Sequence, residues 1–150
     1  MGKKKNREML FWTKEEYLKF AEVMMDKPLS FYAFEMLYWC GIREGELLAL
    51  TPADFDLDKG LLSITKSYQR IRGKDVITDP KTPKSKRDVV IPDFLRDELQ
   101  DYMSRLYGIT KKDRLFHITK TYLHHEMDRG AKKAGVQRIR IHDLRHSHVS

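Results

Sequence analysis

The sequence predicts an α+β fold, a mostly helical domain with a small three-stranded antiparallel sheet. Three observations predict it. Apolar residues recur at helical spacing in both the first third and the last third of the chain, between recognisable start and stop signals. Runs of β-branched and aromatic residues separated by turn residues occupy the middle, from Leu61 to Ile91. The 150 residues, 41% hydrophobic and 34% charged, suit one domain of ordinary size or a piece of a larger one.

Residues 1–10 are basic and unpatterned, and read as a tail or linker; the domain is expected over 11–150. Thr13 and Glu16 have capping-box spacing, so a first helix is expected over 14–26, closed by Pro28. Tyr17, Leu18, Phe20, Ala21, Met24 and Met25 supply its apolar spacing, and Phe11 or Trp12 can staple to Leu18. A second helix runs from Ser30 to Cys40, with Phe31, Phe34, Leu37 and Tyr38 inward and Gly41 as its stop. A short third helix covers 43–50 and ends at Thr51-Pro52.

After the turn at Gly60, one strand is expected from Leu61 on to Ile71. Arg72 to Asp75 form a turn, 76–78 pair back, 81–86 form a basic turn, and 87–91 are the third strand. Pro92-Asp93 open a fourth helix with Phe94, Leu95, Leu99, Tyr102, Met103 and Leu106 on one face and Gly108 as its cap. A fifth helix runs from Lys120 to Ala134 and stops at Gly135. His142 to Ser150 look like the opening turns of a sixth.

Composition excludes several classes. No stretch approaches the roughly 20 apolar residues of a spanning helix, and the N-terminus lacks the apolar run of a secretory signal. A single cysteine, Cys40, allows neither an internal disulfide framework nor a multi-cysteine zinc site. A cytoplasmic protein is expected. Lys and Arg number 29 against 22 acidic residues, a net charge of +7. That excess favours a polyanion partner, because each cation placed on a phosphate releases condensed counterions.

Three segments can carry chemistry. Arg43 and Glu46 are three apart, so on a helix the carboxylate can hold the guanidinium; an ordinary surface ion pair has the same pattern. His142 and Arg145 repeat that spacing and join a proton carrier to a planar cation, a pair suited to a phosphate. A basic helix face bound to nothing would look the same. His142, His146 and His148 also invite a metal, although no Glu base stands between them and no Cys ligand is near. Lys81, Lys84, Lys86 and Arg87 put four cations in seven residues at a hairpin tip, where a Lys could protonate a leaving oxygen.

Gly41-Ile42-Arg43-x-x-Glu46-Leu47-Leu48, then Pro80-Lys81-Thr82-x-x-Ser85-x-Arg87, then His142-x-Leu144-Arg145-His146-Ser147 stand in that order. Together they resemble the catalytic domain of tyrosine recombinases, especially the phage and conjugative-transposon integrases of Gram-positive bacteria. The resemblance runs from Phe11 onward. It implies site-specific DNA recombination on double-stranded DNA. A Tyr hydroxyl cuts one strand, leaving a 3′-phosphotyrosyl link and a free 5′-hydroxyl, with neither cofactor nor metal.

By that resemblance Arg43 and Arg145 clamp the non-bridging phosphate oxygens and Lys81 is the general acid to the departing oxygen. His142 assists proton transfer, Glu46 orients Arg43 from behind, and Lys84, Lys86 and Arg87 contact DNA. The family's nucleophilic Tyr is expected beyond Ser150, since all seven tyrosines precede His142. The reading is therefore a truncated domain that binds DNA without cutting it, from a family that works as a tetramer on DNA. The alternatives are a non-catalytic DNA-binding remnant of a recombinase and, more distantly, a histidine-ligated metallohydrolase.

Overall fold

In the computed structural model of the protein, residues 11–79 and 86–149 are described. Helix α1 spans Lys14–Met24. Its start is set locally. The Glu16 amide donates to Thr13 Oγ1 at 3.2 Å, and the Thr13 amide donates to Glu16 Oε1 at 2.8 Å. Tyr17, Phe20, Ala21 and Met24 are buried, whereas Leu18 and Met25 face outward. The expected staple to Leu18 is therefore absent. Trp12 turns inward instead, its ring centroid 4.8 Å from that of Phe20.

Helix α2 is Pro28–Cys40. Pro28 opens this helix rather than closing the previous one, because a first-turn residue needs no amide hydrogen. Nearly every face of α2 is covered, and it lies at the centre of the core. Phe34 meets Phe20 edge-on at 4.9 Å, and Tyr38 stacks on Tyr17 at 3.8 Å. Each large apolar side chain buried this fully contributes about 2 kcal/mol. Gly41 (φ 64°) ends the helix and turns the chain into α3, Glu44–Ala49. A 3-10 turn follows at Pro52–Asp54.

The strands are β1 (Phe55–Asp56), β2 (Leu61–Ile64), β3 (Ser67–Ile71), β4 (Lys74–Thr78) and β5 (Arg87–Val90). They form a three-stranded antiparallel sheet, β1-β2-β5, and a separate β3-β4 hairpin. The continuous strand expected from Leu61 to Ile71 is thus two strands that serve different sheets. The break falls beside Lys66, whose ammonium is held by Asp54 of the 3-10 turn at 2.6 Å. The hairpin closes through Arg72 and Gly73, both with positive φ, in keeping with a tight two-residue turn.

Helix α4 is Asp93–Ser104. It stops before Gly108: the amides of Arg105 and Leu106 donate to the Tyr102 and Met103 carbonyls, three residues back, at 3.1 and 3.2 Å, which tightens and ends the last turn. Phe94, expected inward, is exposed against Trp39. Helix α5 is Lys120–Ala134, capped by Thr119 and by Gly135 (φ 73°). Helix α6 is Ile141–Val149 and packs on α2. Two close approaches require glycine. A Cβ on Gly130 would lie 2.4 Å from Phe20 Cε1, and one on Gly45 would lie 2.5 Å from Ser67 Oγ. Among the described residues no helix is long and apolar enough to cross a membrane.

Candidate functional site

Arg43 sits at the N-cap of α3, where the turn at Gly41 delivers it to the surface with its side chain 54% exposed. Its backbone amide donates to Glu46 Oε1 at 2.8 Å. The guanidinium is farther off, with Nη1 3.9 Å from Glu46 Oε2. The partner that grips Glu46 is Arg87, the first residue of β5. Its Nη1 donates to Oε2 at 2.9 Å and its Nη2 to Oε1 at 3.0 Å. The expected hold of Glu46 on Arg43 is thus mainly on the main chain, and Arg87 commits its fork inside the protein.

Burial of Glu46 by itself pushes its carboxyl up. The Arg87 fork, the Arg43 amide and the charges of both arginines outweigh that, and the net displacement is downward. Arg87 moves upward for the reciprocal reason, its bond to Glu46 exceeding the effect of burial.

Helix α6 brings in the second segment. It is anchored at the back: the Ser147 hydroxyl donates to the Asp143 carbonyl at 3.0 Å and accepts from the Trp12 amide at 2.9 Å. Asp143 is buried and takes both Nε and Nη2 of Arg140 at 2.9 and 3.0 Å. With those contacts behind it, the helix presents His142 and Arg145 forward, three residues apart on one face. Burial lowers the Arg145 pKa, as do the positive charges of Arg43 and Arg87, with Glu46 opposing. Three guanidiniums crowded round one carboxylate leave an excess of positive charge, which an anion can neutralise.

Arg43, Ser67, Lys120, His142 and Arg145 line a cleft of about 260 Å³, with Glu44 at its side. His124 Nε2 lies 3.1 Å from Glu44 Oε2, which ties α5 to the start of α3. Burial raises the Glu44 pKa, against the opposing pull of His124 and Lys120. Motif spacing singled out neither Lys120 nor Glu44. One signal was present for Lys120: a cation in the first turn of α5, which has no acidic residue to favour the helix dipole.

Of the other expected residues, Lys86 is exposed just before β5. Lys81 and Lys84 lie outside the described residues. Among the described residues no three His, Cys, Asp or Glu side chains converge as a metal site, and of the three histidines weighed as ligands only His142 has a described side chain. None of the seven tyrosines lines the cleft.

Comparison with known proteins bears on the family and the fold. The phage integrase family matches residues 10–150. The ICEBs1 integrase of Bacillus subtilis is 30% identical over 96% of this chain and 43% of its own length. The integrase of Mycobacterium phage L5 is 30% identical over 83% of this chain and 36% of its own. The chain therefore spans less than half the length of these curated relatives. Among solved structures, the Tn1549 transposon integrase in complex with a circular intermediate DNA superposes with a TM-score of 0.77 at 17% identity, covering 93% of this chain and 51% of that one. XerA recombinase gives 0.72 at 21% identity, over 93% and 47%. Helices α1–α6, the small antiparallel sheets and the order of the motifs lead to one conclusion: the chain belongs to the phage integrase family, with the fold of a tyrosine recombinase catalytic domain.

Proposed function

We propose that this chain supplies the phosphate-binding face of a site-specific DNA recombinase that acts in the cytoplasm as a tetramer on double-stranded DNA. One observation carries the reading. Arg43 and Arg145, from helices far apart in sequence, reach one cleft together with His142. The Tn1549 relative, itself solved on DNA, supports the choice of partner.

In-line attack on a phosphodiester gathers negative charge on the non-bridging oxygens. Cations fixed in advance at those oxygens stabilise the transition state more than the ground state. Arg43 and Arg145 take that role, each with a permanent charge. His142 moves a proton at the attacking hydroxyl, and Lys81 protonates the departing 5′-oxygen. Lys84 and Lys86 hold the DNA backbone. The attacking hydroxyl belongs to a Tyr that we assign to no residue of this chain, since none of its tyrosines lines the cleft. On this reading residues 1–150 bind duplex DNA without cutting it.

Two measurements test the proposal. The 150-residue chain should bind a short duplex with an affinity that falls steeply with salt and should form no covalent adduct; an adduct would overturn the inactive-chain reading. In a cleavage-competent enzyme containing residues 11–149, Arg43→Ala should abolish strand cleavage and keep most of the DNA affinity, because many other cations share the backbone contacts. Cleavage at near the parent rate would remove Arg43 from the site.

A further inference from the structure

We propose that Arg87 is a positioning residue: it occupies Glu46 and so leaves the Arg43 guanidinium free for the scissile phosphate. The inference rests on the reading of Arg43 as a phosphate ligand and adds a residue that acts through it. The carboxylate of Glu46 is nearly sealed, its side chain 5% exposed, and both oxygens are taken up by Arg87. Oε1 also receives the Arg43 amide, which fixes the first turn of α3. The Arg43 guanidinium waits 3.9 Å from Oε2, outside hydrogen-bonding range and open to the cleft.

Glu46 therefore has two possible cationic partners, Arg87 from β5 and Arg43 on its own helix. A paired planar fork is the stronger grip on a carboxylate. While Arg87 supplies it, the carboxylate has little to offer Arg43 beyond the amide bond. Without Arg87, the buried charge would be left to its nearest remaining cation. Arg43 would swing toward Glu46 and away from the phosphate. The third cation facing the cluster, Arg145 of α6, is repelled by both arginines and would be left to hold the phosphate alone.

A different prediction holds if Arg87 touches a DNA phosphate directly. Removing a cation that neutralises one phosphate flattens the plot of log affinity against log salt by about 0.9. A residue turned inward to Glu46 leaves that slope unchanged.

The experiment uses a cleavage-competent enzyme containing residues 11–149 and a duplex spanning one end of its mobile element. Arg87→Ala should cut about 100-fold more slowly at saturating DNA, a loss typical of a displaced catalytic group, with an unchanged salt slope of binding. Arg87→Lys, which keeps the charge but not the two-point fork, should cut at a rate between those of the parent and Arg87→Ala. The decisive variant is the double substitution Arg87→Ala with Glu46→Gln. Glutamine still accepts the Arg43 amide but carries no charge with which to capture its guanidinium, so the double variant should cut faster than Arg87→Ala alone.

A merely structural ion pair would slow cleavage only through the folded fraction, so its loss and recovery would follow the urea melts of the variants. Displacement of Arg43 instead slows cleavage by the fully folded enzyme. A parent-like rate in Arg87→Ala, full rescue by Arg87→Lys, a flattened salt slope, or a double variant no faster than the single one would each overturn the proposal. Failure of the phosphate reading itself would show separately, as normal cleavage by Arg43→Ala.

Discussion

The backbone amide of Trp12 donates to the hydroxyl of Ser147 at 2.9 Å, joining the entry to α1 with the helix that carries His142 and Arg145. Both residues are buried. Ser147→Ala should leave that amide without a partner and cost about 1–3 kcal/mol in a urea melt. The same substitution should lower the affinity of the chain for duplex DNA, because α6 loses an anchor behind its presenting face. An unchanged melt would mean that water replaces the hydroxyl.

Packing of α5 on α1 depends on a missing side chain. A methyl group on Gly130 would lie 2.4 Å from Phe20 Cε1, and 2.7 Å from Met24 Cε. Gly130→Ala should destabilise the domain by about 1–3 kcal/mol through overpacking, despite the better helix propensity of alanine. A gain in stability would show that the two side chains move apart freely.

Acid should act through Glu46. Its folded-state pKa lies below the ordinary glutamate value, so its contribution to stability is present above the unfolded value of about 4.3. That contribution is lost as pH falls through the folded value. The difference in unfolding free energy between the parent chain and Glu46→Gln should therefore shrink as pH drops through the acid range. A difference that stays constant with pH would contradict the assignment of charge to this carboxylate.

Cys40 should be silent. Burial pushes its thiol up to about 12, with the charge of Glu35 adding to the effect. The thiolate is the reactive form, so alkylation of the native chain at neutral pH should be negligible and should become rapid in denaturant. Fast labelling of the folded chain would show that the Gly41 end of α2 opens readily.

Some of this was legible locally. The start of α1 lies in Thr13 and Glu16, which need only each other, and α5 ends where Gly135 permits a left-handed residue. The three motif segments were readable in their order, and the family they resemble is the one to which the chain belongs. Reading Phe94 and Leu18 as inward failed, because helical spacing gives a face without saying what lies opposite it. The strand from Leu61 to Ile71 failed for a related reason. Its residues favour extended backbone throughout, yet β2 pairs with β5 and β3 with β4, and pairing partners are a property of the whole fold.

The same division holds at the site. Residue types and short spacings made Arg43, Glu46, His142 and Arg145 candidates, since permanent charge and proton exchange are properties of side chains. The order of the three motifs gave them expected roles through a family resemblance. Only the tertiary structure decided which cation holds Glu46. Arg43 stands three residues away on the same helix and Arg87 comes from a distant strand, yet Arg87 makes the paired bond. A carboxylate attracts both guanidiniums, and the choice between them depends on distance, orientation and burial, which exist only once α3 and β5 have packed together.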